Sequence, residues 1–177
     1  DVCLDESIRS AADARAAIEL GSCRIVNIKQ GRVGGLLEAK RVHDVAAELG
    51  VPVWCGGMLE TGIGRSTNLA LAALPNFRLP GDTSATSRYF AEDITEPLVL
   101  EADGTLPVPN GPGIGVDPDP ARLEAATRRT ERFEKECGAR LLVTEVENSE
   151  QLKQEVASAP GRFDVVVADE QTLRDLI

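Results

Sequence analysis

The sequence is poor in ring side chains and in positive charge. Its 177 residues hold one tryptophan, one tyrosine and one histidine. A core must therefore be built from Val, Leu, Ile and Ala, and a hydrophobic fraction of 42% suffices for one. Nineteen lysines and arginines face 29 aspartates and glutamates, a net charge of -10. That balance argues against nucleic acid, whose phosphates need a basic surface, and against an anionic membrane. A small molecule or a metal ion is the better partner. No stretch reaches the roughly 18 apolar residues of a membrane span, and no charged segment followed by an apolar one opens the chain as a secretion signal would. A cytoplasmic globular protein of one to two folding units is expected. The chain starts at Asp1 instead of Met, so a cut edge is expected there.

Cys3, Cys23, Cys55 and Cys137 lack CxxC or any other zinc-ligand spacing. Cys3, Cys23 and Cys55 fall in or beside apolar runs and read as reduced core thiols, with two disulfide bridges as the open alternative.

From Asp1 to about Pro80 one unit recurs: a short apolar run, a polar or glycine-containing turn, then a segment of helical period. "DVCLDES" leads into "IRSAADARAAIELG", and "CRIVNIK" leads through "QGRVGG" into "LLEAKRVHDVAAELG". "VPVWCGG" leads through "MLETGIGRS" into "TNLALAALP", and "NFRLPGDTS" supplies a fourth run. Gly21 and Gly50 close the two longer helices as C-terminal caps. Apolar runs that do not alternate, spaced by helices, indicate parallel strands covered by those helices. The expected fold is therefore α/β, about four βα units over residues 1–90, or half of a (β/α)8 barrel.

Residues 91–119 are rich in Pro and Gly and are expected to form an extended arm, with "PLVLEADG" as its strand and "NGPGIG" as a loop. Residues 120–138 read as a charged helix opened by Asp119 and Pro120 and stopped by Gly138. Residues 139–177 restart the pattern as a small βαβα segment, with Asn148 or Ser149 capping its first helix.

Chemistry is expected at the C-terminal ends of parallel strands, where the βα loops open. Asp5 and Glu6 follow the first run, Lys29 the second and Glu60 the third, a set of carboxylate, amine and carboxylate. A strand-end lysine that leans into water is the plain reading of Lys29. The other is an acid/base lysine: a divalent ion held by carboxylates stabilises an enediolate while the lysine moves the α-proton. Hard oxygen ligands favour Mg2+ over zinc in that reading.

"LDESI", "VNIKQGRVGG", "VPVWCGGMLETGIGRS", "LPGDTSATSRYFAEDI" and "GPGIGVD" follow one another in the order and spacing of the enolase superfamily. From residue 1 to about residue 133 the chain resembles its o-succinylbenzoate synthase and N-acylamino acid racemase family. The resemblance implies a Mg2+-dependent dehydration through an enediolate, on the menaquinone pathway, or racemisation of N-acylamino acids. It implies Asp5 as the third carboxylate ligand of Mg2+ and Lys29 as the acid/base lysine. Asn27 becomes a polar substrate contact, and Gly56, Gly57 and Met58 become the loop around the substrate carboxylate. Glu60 matches an acidic residue at a strand end and is grouped with the substrate contacts. Glu6 is either a partner of the ligands or a solvated charge. The substrate is a small carboxylate.

The first two metal-binding carboxylates and the opposing lysine of that family have no counterpart here, so the chain reads as half an active site. A missing N-terminal half, or a second copy of the chain pairing along open strand edges, would be needed to complete it. From about Phe133 onwards the sequence resembles a segment of periplasmic polyamine-binding proteins, so a solute-binding tail beside a passenger barrel half is the alternative function. A junction of two gene pieces near Phe133, as a fusion, an artefact or a chimaera, is expected.

Three further features are weaker. His43 lies mid-helix and is expected to have a surface or packing role. "GPGIG" reads as a turn, because no Lys-Ser/Thr follows it. Asp164 and Asp169 flank "VVVA" as solvated strand ends.

Overall fold

The computed structural model describes residues 1–137. Residues 1–119 form one compact unit, and a second begins at Pro120. The first unit runs β1 (Cys3–Leu4), α1 (Ala11–Glu19), β2 (Ile25–Ile28), α2 (Gln30–Val33), α3 (Leu36–Glu48), β3 (Val53–Cys55) and α4 (Gly62–Ala72), then a short 3-10 turn, Thr86–Arg88. The described part of the second unit is α5 (Pro120–Cys137), the charged helix that the sequence implies.

The three strands form one parallel sheet in the order β1-β2-β3. Leu4 pairs with Val26 and Val26 with Val53, while Cys3 pairs with Ile25 and Asn27 with Trp54. Because side chains alternate along a strand, Val26, Ile28 and Val53 share one face. That face is buried against Ala14 and Ile18 of α1, Ala39, Val42 and Ala46 of α3, and Leu71 of α4. The other face carries Cys3, Ile25, Asn27 and Trp54. Cys3 lies exposed on it, accepting the indole N–H of Trp54 at 3.2 Å, so the expected core thiol is found only at Cys23 and Cys55. A two-residue strand leaves the facing of Cys3 unreadable from pattern alone.

Local chemistry sets the helix ends. Ser10 Oγ accepts the Asp13 amide at 3.1 Å and opens α1. Gly21 and Gly50, at φ 74° and 72°, take the left-handed turn after α1 and α3. The two helices are tied by Arg15 to Glu48 at 2.6 Å and by the Ala11 amide to Glu38 at 2.7 Å.

Four expectations need correction. "NFRLPGDTS" contributes only a single parallel bridge, Val53 to Phe77, because Pro80 and Gly81 follow before a ladder can extend. "QGRVGG" is not a plain turn: residues 30–33 wind into α2, which Gly34 ends at φ 89°. α4 starts at Gly62, inside the expected turn, because Asp93 Oδ2 accepts the Gly62 amide at 2.7 Å and holds that first turn. "PLVLEADG" forms no strand: among the described residues no neighbour offers it a ladder, and it ends in a turn closed by Glu101 and Thr105 at 2.8 Å.

The arm over 91–119 doubles back on itself through an antiparallel bridge between Thr95 and Pro118 and a 2.7 Å bond from the Asp119 amide to the Ile94 carbonyl. Ser66 Oγ of α4 donates to the Ile114 carbonyl within the "GPGIG" turn. The expected βαβα segment over 139–177, its likeness to polyamine-binding proteins, and Asp164 and Asp169 lie outside the described residues.

Candidate active site

Parallel strands end at a common edge, so residues that follow them in sequence meet in space. Asp5 follows β1 and Lys29 follows β2, and Lys29 Nζ donates to Asp5 Oδ2 at 2.8 Å. Asn27, two residues before Lys29 and on the same face, donates through Nδ2 to the same oxygen at 2.9 Å. The sequence-predicted trio is thus one cluster.

A fourth member was not foreseen. Arg32 donates through Nη1 to Asp5 Oδ1, through Nη2 to the Asn27 carbonyl, and through Nε to the Ile8 carbonyl at 2.9 Å. It reaches there because α2 turns at once: one helical turn past Lys29 returns the chain over the strand ends. The available signal was an arginine three residues after a strand-end lysine. The side chains of Lys29, Arg32 and Asp5 are 18%, 14% and 27% exposed, so solvent screens the cluster only in part. Burial pulls the Arg32 guanidinium below its ordinary pKa.

The glycines after β3 make the room. A Cβ on Gly56 would stand 2.4 Å from Asn27 Oδ1 and 2.7 Å from Lys29 Cε. One on Gly57 would stand 2.1 Å from the Asp82 carbonyl oxygen. What approaches closely is thus the protein's own cluster and the loop after Phe77, which arrives through the Asp82 amide on the Cys55 carbonyl at 2.8 Å.

Met58 and Glu60 form a separate group. Met58 is 55% exposed. Its amide donates to both Glu60 oxygens at 2.9 and 2.8 Å, and Asn68 Nδ2 reaches Glu60 Oε1 at 3.0 Å. Arg65, wholly buried and unanticipated, approaches Glu60 Oε2 at 3.7 Å and lies over the Tyr89 ring at 5.4 Å. Glu60 folds its own loop back on itself. Glu6 is exposed, the solvated charge of its two readings.

His43 is a packing residue. It is buried, stacks on Phe77 at 5.5 Å between ring centroids, and accepts the Asn76 amide on Nε2 at 3.1 Å. At the end of β3, burial pushes the Cys55 thiol up to about 11.

The donor set does not fit Mg2+ in this chain alone. Asp5 is a single carboxylate with three cationic or amide donors on its oxygens. Among the described residues no group of three or more His, Cys, Asp or Glu is placed to hold an ion. The cluster instead offers an amine and a guanidinium at a strand-end rim, able to attract a carboxylate and to exchange a proton through Lys29 Nζ.

The model of the enolase C-terminal domain-like family matches residues 1–122. Among curated relatives, an N-succinylamino acid racemase of Amycolatopsis is 65% identical over 126 residues, covering 71% of this chain and 34% of its own length. An o-succinylbenzoate synthase of Geobacillus kaustophilus is 58% identical over 138 residues, 78% of this chain and 37% of its own. A solved structure of an enolase superfamily member from Enterococcus faecalis aligns with a TM-score of 0.66 at 51% identity, over 70% of this chain and 33% of that one. The chain spans about a third of the length of the proteins it matches.

Proposed function

This chain belongs to the enolase C-terminal domain-like family, and from that premise we propose that it is the lysine-bearing C-terminal part of an o-succinylbenzoate synthase, half of a (β/α)8 barrel. The observation that carries the proposal is the Lys29–Asp5 pair at 2.8 Å across the ends of adjacent parallel strands. Identities of 65% and 58% to a racemase and a synthase support both chemistries, which share one step: movement of a proton at the carbon beside a carboxylate.

Lys29 Nζ is the group that moves that proton. As an amine it takes the α-proton, and as an ammonium it returns it. Asn27 and Arg32 hold the pair in place, Asn27 through Asp5 and Arg32 through Asp5 and the Ile8 carbonyl. Gly56 leaves room for the Asn27 and Lys29 side chains, and Gly57 for the Asp82 carbonyl. The substrate is a small carboxylate, bound in a cytoplasmic enzyme.

The remaining strands come from an N-terminal part of such an enzyme or from a second copy of this chain, since among the described residues β1 pairs on one side only. Any Mg2+ would have to be held by carboxylates supplied by that complement.

The test is complementation. The chain is co-expressed with the N-terminal part of the Geobacillus relative, and loss of water to give o-succinylbenzoate is followed. Turnover that requires both parts and vanishes with Lys29→Ala is expected. Turnover unaffected by Lys29→Ala would overturn the reading.

A further inference from the structure

We propose that in this chain Asp5 is the anion of a self-contained ion cluster with Lys29 and Arg32, and that these two cations exclude Mg2+ from it until further carboxylates are supplied. The proposal stands on the geometry of the cluster and not on the reaction, and so goes beyond the catalytic reading.

A carboxylate has about four lone-pair sites. Asn27 Nδ2 and Lys29 Nζ occupy Oδ2 at 2.9 and 2.8 Å, and Arg32 Nη1 occupies Oδ1. Arg32 is not free to swing aside. It is tied at Nε to the carbonyl of Ile8, a core residue, and at Nη2 to the carbonyl of Asn27, inside β2. The Lys29 stem fills the space that a Cβ on Gly56 would take, 2.7 Å from Cε.

Two cations against one carboxylate leave the cluster with a net charge of +1, which repels a dication. Mg2+ surrenders its waters reluctantly and is ordinarily held by more than one charged oxygen. The carboxylate of Glu60 does not make up the set, because it accepts from the Met58 amide in its own loop and from Asn68 of α4. The lysine and arginine stand on Asp5 where a cation would.

The experiment is a Mg2+ titration of the full chain, read by thermal unfolding against NaCl of matched ionic strength and by the Arg32 Nε–H resonance in 15N NMR. Tm that does not depend on Mg2+ at millimolar concentrations, with an Arg32 resonance that stays put, is expected. Asp5→Asn should lower Tm by several degrees equally in both salts, since it removes the anion of the cluster and no metal site. A saturable rise in Tm with Mg2+ that Asp5→Asn abolishes, or a saturable shift of the Arg32 resonance, would overturn the proposal. If Asp5→Asn fails to fold, the NMR titration of the unsubstituted chain decides alone. Because the titration needs no catalysis, its outcome is independent of the complementation result.

Discussion

Lys29 reaches Asp5 across two neighbouring parallel strands, Nζ to Oδ2 at 2.8 Å. The contact exists because β1 and β2 end at the same edge and because Gly56 leaves the lysine stem room to lie flat. Both the proposed chemistry and the balance of charge at the rim depend on that pairing.

Lys29→Met keeps the stem and removes the charge. Asp5 then loses one of its two cationic partners while Arg32 remains. For a pair this sheltered, a loss of about 1–2 kcal/mol is expected, below the cost of breaking a fully buried pair. Asp5→Asn strips both cations of their anion and should cost more, about 2–3 kcal/mol. Urea unfolding of the two variants measures the order, and an order reversed would show that Arg32 does not depend on Asp5.

Gly57→Ala is expected to be more damaging than Gly56→Ala. At Gly57 the added Cβ meets backbone, the Asp82 carbonyl oxygen at 2.1 Å, and only a shift of the whole loop relieves it. At Gly56 it meets the side chains of Asn27 and Lys29, which can move. Overpacking costs of about 1–3 kcal/mol apply, with Gly57→Ala at the upper end. Thermal unfolding of the two variants checks the order, and Gly56→Ala should spoil the Lys29 geometry with a smaller loss of Tm.

Cys55 gives a pH dependence. Burial raises its thiol from the ordinary 9.0 to about 11, so the folded protein holds that proton more tightly than the unfolded chain. Its contribution is fully present below pH 9 and is lost as pH rises towards 11, about 2–3 kcal/mol in all. Unfolding free energy followed from pH 8 to 11 should fall over that window in the natural chain and fall less in Cys55→Ala. In native alkylation, Cys3 should react ahead of Cys23 and Cys55.

His43 has its tautomer dictated by its partners. The Asn76 amide can only donate, so Nε2 is the bare nitrogen, and Nδ1 carries the proton towards Asp44 Oδ1 at 2.9 Å. Nitrogen-15 NMR should report the Nδ1–H form. His43→Leu should keep the packing on Phe77 but orphan the Asn76 N–H, costing about 1–3 kcal/mol.

The βα rhythm was legible in the sequence because the strand runs are largely apolar and because α1 and α3 stop at glycines that the structure places at positive φ, Gly21 and Gly50. The meeting of Asp5 and Lys29 was legible because strand ends of a parallel sheet share one edge, whereas Asn27 came with the resemblance, as a substrate contact, and is found bonded to Asp5. Arg32 was hidden because its position depends on α2, a single turn of helix inside a glycine-rich segment that pattern reads as a loop. The fourth strand and the strand at "PLVL" failed for a different reason. An apolar run becomes a strand only beside a neighbour that accepts its ladder, and Phe77 finds one for a single residue while Val99 and Leu100 remain exposed. Likewise, the burial of Arg65 against Glu60 is completed by Tyr89, distant in sequence, which no local periodicity announces.

The most direct test of the central claim, that Lys29 moves the α-proton, is deuterium incorporation from D2O into an N-succinylamino acid, followed by proton NMR with the complemented enzyme. Wash-in at the α-carbon with the natural chain, and at least about a thousandfold slower wash-in with Lys29→Ala, is the predicted result. Undiminished exchange in Lys29→Ala would contradict it.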